Sequence, residues 1–139
     1  MAKNKNGIKA GNRKQGILVK ANEPQSTEKL PLIFSLERVQ RGNYCFSTLD
    51  KEHKAAFADS IFKRKELLWS DIKGAGRHGL GTEKISKSAI NTSIPPFITE
   101  DQDHFLAFRY HGLNPIVGYR IGQIFYVLWF DHDFTLYDY

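Results

Sequence analysis

Hydrophobic positions recur along this chain with two different periods. From Lys51 to Lys73, Phe57, Ile61, Leu68 and Ile72 are spaced by four, seven and four residues, which aligns them on one face of a helix. Phe62 and Trp69 widen that face, while Lys51, Lys54, Lys63, Arg64 and Lys65 fall largely away from it. Asp50 is placed to accept from the first free backbone N–H groups, and Gly74 offers a stop. The pattern predicts a single helix over 51–73.

The last third of the chain reads as strands joined by turns. Segments 105–111 and 116–121 read as strands joined by a turn over Gly112 to Pro115, and Gly122-Gln123 is a two-residue hairpin connection. Ile124-Phe125-Tyr126-Val127-Leu128-Trp129-Phe130 is continuously apolar, as expected of a central strand, running to Asp131, covered on both faces. Asp131-His132-Asp133 then turns the chain into a short last strand over 134–137. Upstream, Leu32, Phe34 and Leu36 alternate, which predicts a strand over 32–39 returning through Gly42 to a hairpin partner over 44–48. Between helix and meander the pattern weakens. GAGRHGLG is a glycine-rich loop, TEKISKSAI has the composition of a short helix, and Pro95-Pro96 blocks regular structure.

These elements define an α+β fold, an antiparallel C-terminal β-meander with one long helix packed on the sheet. A length of 139 residues suits one domain, placed at 30–139. Residues 1–29 nearly lack aromatic side chains and cannot bury enough surface to offset the entropy of ordering, so they read as a flexible basic tail. Ile17-Leu18-Val19 is the tail's one apolar patch.

The net charge of +5 changes that picture in one respect. Residues 1–29 hold seven basic side chains against two acidic ones, which accounts for the whole excess. Within the remainder, 51–87 carries nine Lys/Arg against five acids, and 88–139 carries only Arg109 and Arg120 against six. A basic tail and a basic helix are suited to a phosphate backbone. The single cysteine, Cys45, excludes an intramolecular disulfide and favours a reducing compartment. No apolar run approaches the roughly 20 residues that cross a bilayer, and the basic N-terminus lacks the apolar stretch of a secretory signal. A cytoplasmic protein is expected.

Three groupings imitate sites. Gly74-Ala75-Gly76-Arg77-His78-Gly79 matches G-x-G-x-x-G, but a dinucleotide site needs those glycines between a strand and a helix, and here they follow a helix. The loop instead places Arg77 and His78 at the edge of a site. Asp131-His132-Asp133 has no further dense group of ligands to converge with, so no metal and no cofactor is expected. Cys45, in a predicted strand, reads as a buried thiol rather than a nucleophile.

A fourth grouping lies on the meander. Arg109 and His111 are two residues apart on a strand and are expected to share a face. Tyr119 and Arg120 come from the next strand, and Tyr126, Tyr137 and Tyr139 from later segments. RNA cleavage without a metal needs a base for the 2′-hydroxyl, an acid for the leaving oxygen and a cation for the crowded phosphate. His, Arg and Tyr supply those roles, and Tyr also stacks on bases.

The order strand, basic helix, meander, together with VGYRIGQIFYVLWFDHDFTLYDY, resembles the RelE/ParE/HigB superfamily of toxins. There, a Tyr-Arg strand leads through a short turn to a second strand, and the terminal segment ends in Tyr or His. The resemblance implies a metal-independent endoribonuclease, an mRNA interferase of a toxin–antitoxin pair, whose partners are RNA or the ribosome and a cognate antitoxin. It implies that Arg120 faces the phosphate, that Tyr137 or Tyr139 is the terminal acid/base or stacking residue, and that Lys63, Arg64 or Lys65 contacts RNA. Where the superfamily carries another arginine on its second strand, this chain reads Ile124-Phe125-Tyr126. The alternatives are a non-enzymatic RNA- or ribosome-binding module, a protein-interaction module such as an antitoxin or phage accessory factor, and membership of a separate family of small bacterial or phage-related proteins. The toxin reading requires Arg120 and Tyr137 to converge on one pocket.

Overall fold

A computed structural model describes residues 26–77 and 79–138. The meander forms as its hydrophobic pattern requires. Strands β2 (Thr82–Ser86), β3 (His104–His111), β4 (Asn114–Ile121) and β5 (Ile124–Phe130) pair antiparallel in sequence order. A short β1 (Ile33–Ser35) adds to β5 in parallel, giving the order β1-β5-β4-β3-β2. The β4–β5 connection is the two-residue turn Gly122-Gln123, where Gly122 takes a positive φ of 62° that a β-carbon would oppose. The expected α+β class, with an antiparallel meander and a helix packed on the sheet, is what forms.

Both faces of the sheet are covered, which explains why β5 is apolar throughout. On one face Phe57 and the pair Trp69 and Ile72 pack against Phe108, Ile116, Phe125, Val127 and Phe130. On the other, Phe105, Val117, Leu128, Trp129, Leu136 and Tyr137 pack together beneath Ile90, Ile94 and Ile98 of the β2–β3 connection. Those isoleucines recur at helical spacing, but Pro95-Pro96 between them rules out a helix, and a loop covers this face instead.

Two register shifts decide which side chains meet. One lies at Val117/Gly118 of the β4–β5 pairing. There a β-carbon on Gly118 would stand 2.0 Å from the Tyr126 carbonyl oxygen, so the two backbones approach as closely as only glycine permits. The other shift lies between Arg109 and His111 in the β3–β4 pairing.

The structure corrects several expectations. The helix over 51–73 is two helices, α1 (Lys51–Lys63) and α2 (Trp69–Gly74). Arg64 ends the first by turning its guanidinium inward, and the Asp71 carboxylate starts the second by accepting from the Leu68 N–H at 2.9 Å. Phe62 is not a core residue. It is 65% exposed, with the Lys65 ammonium 5.2 Å from its ring centroid. The expected hairpin of 32–39 with 44–48 is absent, because the chain after β1 stays beside β5. Gln40 N–H donates to Leu128 O, and Phe130 N–H donates to Tyr44 O. Residues Phe46–Thr48 form a 3-10 turn, and Cys45 before it is half-buried in no strand. TEKISKSAI is strand β2 followed by a 3-10 turn, Lys87–Ala89. No strand forms over 134–137, because Phe134 takes a φ of 60° and breaks the extended run.

Residues 26–29 of the expected tail pack on the domain, with a 3-10 turn over Thr27–Lys29. The rest of that tail, Ile17-Leu18-Val19 included, lies outside the described residues. Among the described residues no helix is long and apolar enough to cross a membrane.

Candidate functional site

β2 begins at Thr82, which pairs with Phe108, so Arg109 lies one residue beyond its neighbour strand. Glu83 pairs with Ala107, which places its carboxylate on the face that Arg109, two residues further along β3, also presents. Arg109 Nη2 donates to Glu83 Oε1 at 2.6 Å, and Nη1 donates to the Tyr137 hydroxyl at 3.1 Å. Arg77 Nη1 donates to the other carboxylate oxygen of Glu83 at 2.7 Å. The Arg109 side chain is only 8% exposed. Burial works against its charge, but the Tyr137 hydroxyl and Glu83 outweigh burial and hold its pKa above the ordinary arginine value. Its Nε is buried with no hydrogen-bond partner among the described residues.

These side chains open onto a cavity of about 600 Å³ lined by Arg77, Glu83, Arg109, Leu113, Phe134, Tyr137 and Asp138. Tyr137 is held in place by the turn before it. The buried Asp131 carboxylate accepts from the N–H groups of Thr135 and Leu136 at 3.1 and 3.2 Å. Two carboxylates, Glu83 and Asp138, one phenol and two guanidinium groups therefore share one opening.

A second cavity, of about 400 Å³, borders Arg109 from the α1 side and is lined by Asp59, Lys63, Arg64 and His111 among others. Arg64 is its fixed wall. It is 2% exposed, and its guanidinium donates to the carbonyls of Ser60, Gly79, Leu80 and Arg109 at 3.0 to 3.4 Å. Burial lowers its pKa to about 10. His111 Nε2 lies 2.7 Å from Glu52 Oε2, and its ring centroid lies 4.3 Å from that of His53.

The structure thus gathers Arg77, Arg109 and Tyr137 in one cavity, with Lys63 and His111 in the adjoining one. It separates the rest. Arg120 stacks on Trp69, in the helix-side core, with its guanidinium carbon 4.1 Å from the ring centroid. Its Nη2 donates to Thr27 and to Glu28, each at 2.8 Å. Tyr137 belongs to the core of the opposite face, so the convergence of Arg120 with Tyr137 is overturned. Arg109 and His111 do not share a face either, because the register shift between them turns His111 towards α1. Arg64 is an internal staple and not an exposed contact for RNA. Lys65 is exposed, beside Glu66 at 3.0 Å, and lines neither cavity. His78 and Tyr139 lie outside the described residues.

Glu83, Leu113 and Phe134 were not singled out by the sequence reading. Glu83 sits in a stretch of helical composition, and only its pairing with β3 reveals the face it occupies. Among the described residues no group of three or more His, Cys, Asp or Glu side chains is placed to hold a metal ion. Comparison of the chain with protein-family models, with curated proteins and with solved structures finds no match.

Proposed function

We propose that this chain is a toxin-like protein that binds and cleaves RNA without a metal, at the cavity of Arg77, Glu83, Arg109 and Tyr137. The observation that carries the reading is Arg109, a buried guanidinium fixed between a carboxylate and a phenol and facing an open cavity. Base, acid and cation are then all side chains. Arg77 and Arg109 exchange Glu83 for the oxygens of an entering phosphodiester, which form charge-assisted, bidentate bonds with guanidinium. The released Glu83 carboxylate takes the proton of the ribose 2′-hydroxyl, whose oxygen bonds to phosphorus. The bond to the leaving 5′ oxygen breaks as Tyr137 gives that oxygen its proton. The products are a 2′,3′-cyclic phosphate and a free 5′-hydroxyl.

The element order β1, α1, α2 and meander supports kinship with the RelE/ParE/HigB superfamily, with Arg109 in place of Arg120 as the phosphate-facing cation. On this reading the protein acts in the cytoplasm on RNA or ribosome-bound mRNA and is held by a cognate antitoxin. Expression in bacterial cells tests it. Growth arrest relieved by Glu83→Gln and by Tyr137→Phe, but persisting in Lys65→Ala, is expected. Wild-type expression without arrest, or arrest that survives both site substitutions, contradicts it.

A further inference from the structure

The C-terminal turn holds Phe134 in a backbone conformation that its side chain disfavours. Its φ of 60° lies in the left-handed region, which a β-carbon makes costly. The conformation is fixed on the far side by hydrogen bonds. The buried Asp131 carboxylate takes the N–H groups of Thr135 and Leu136, Asn91 Nδ2 donates to Thr135 O at 3.2 Å, and Asn91 N–H donates to Leu136 O at 2.7 Å. Leu136 is then sealed in the core, and Tyr137 packs beside it with its hydroxyl on Arg109 at the cavity.

Glycine or asparagine would meet the same backbone demand at lower cost, yet the chain places a large ring that is 46% exposed. That ring lines the cavity of Arg77, Arg109 and Tyr137, and Leu113, 55% exposed on the β3–β4 turn, lines it too. Backbone strain maintained by surrounding structure collects at ligand-binding positions.

We propose that Phe134, walled by Leu113, is a nucleobase-stacking subsite beside Arg109, so that the substrate is single-stranded RNA. An unpaired base stacks on Phe134 while its adjoining phosphate meets Arg77 and Arg109. The inference rests on the reading of that cavity as an RNA site and adds to it the part that recognises a base. A paired base in a duplex has its faces covered by its neighbours and cannot stack in this way. Stacking on one aromatic ring strengthens binding by roughly 5- to 100-fold per base.

Fluorescence anisotropy with two labelled oligomers tests this. One is a single-stranded oligoadenylate RNA of about 12 nucleotides, within the length that single-strand sites span, and the other is an abasic oligomer with the same number of phosphates. Wild-type protein is expected to bind the oligoadenylate roughly 5- to 100-fold more tightly than the abasic oligomer. Phe134→Gly and Phe134→Asn are expected to stay folded and to bind the two oligomers alike, while Phe134→Tyr keeps the preference. Wild-type protein that binds both oligomers equally, or a Phe134→Gly variant that keeps the preference, overturns the subsite and leaves the phosphate reading standing. Wild-type protein that binds neither oligomer overturns both.

Discussion

Arg120 and Tyr137 lie on opposite faces of the sheet, the first stacked on Trp69 and the second packed in the core around Trp129. The arginine of the Tyr-Arg strand is therefore a structural residue. It ties residues 27 and 28 to the β4–β5 turn through Thr27, Glu28 and the Gly122 carbonyl. Arg120→Ala is expected to destabilise the domain by about 1 to 2 kcal/mol through loss of a partly desolvated cation–π contact and to leave RNA binding unchanged. Chemical denaturation alongside a binding titration checks it. A variant of normal stability that fails to bind would return Arg120 to the site.

Arg64 makes a different prediction, because its four carbonyl acceptors are supplied by α1, the glycine-rich loop and β3. Among the described residues Arg64 forms no ion pair with an acidic side chain, and its guanidinium is held by these carbonyls and by the Phe108 ring, whose centroid lies 4.9 Å from its central carbon. Arg64→Ala strands those carbonyls and is expected to cost about 3 kcal/mol or more. Arg64→Lys recovers only part of this, since an ammonium cannot reproduce a planar fork. Equal stability of the lysine variant and wild type, read from denaturant midpoints, would refute the staple.

Gly118→Ala is expected to be among the most damaging single changes in the sheet. The added carbon would meet the Tyr126 carbonyl oxygen at 2.0 Å, and neither backbone is free to withdraw. A loss of about 3 kcal/mol or failure to fold is expected. An alanine variant that melts with wild type would show that β4 and β5 can part at this position without cost.

The pH dependence near neutrality is expected to come from His111. Its hydrogen bond with Asn114 and its contact with Glu52 raise its pKa above the ordinary 6.5. A raised folded-state pKa stabilises the fold while the group is protonated. The contribution is present in full below 6.5 and fades as pH rises through the folded value. Partial exposure keeps it small. Comparing melting temperatures at about pH 6 and about pH 8, the range in which a histidine near its ordinary value titrates, should show a smaller decline in Glu52→Gln than in wild type. An identical decline would remove Glu52 as the cause.

The meander was legible because its strands are rich in aromatic and β-branched residues and are parted by glycine turns, and β5 is apolar on both faces for a physical reason the structure confirms. What escaped the sequence was set by single residues. Counting by two along β3 puts Arg109 and His111 on one face, and a bulge of one residue separates them. Counting by helical turns carries 51–73 through without a break, but an arginine that prefers buried carbonyls to solvent stops α1 at Lys63. Glu83 was hidden in a segment whose composition suits a helix. It becomes a strand residue only because the edge of β3 is open beside it. Of the candidate site, Arg77, Arg109 and Tyr137 could be named from the sequence. Their common carboxylate could not, because pairing across strands leaves no local periodicity.

The central claim, that Glu83 and Tyr137 act as base and acid around Arg109, is tested most directly by incubating the purified chain with labelled single-stranded RNA in the presence of a metal chelator. Cleavage leaving 2′,3′-cyclic phosphate ends, slowed by roughly 100-fold or more in both Glu83→Gln and Tyr137→Phe and unchanged in Lys65→Ala, is the predicted result. No cleavage by the wild-type chain, or cleavage that both site variants perform at the wild-type rate, would contradict it.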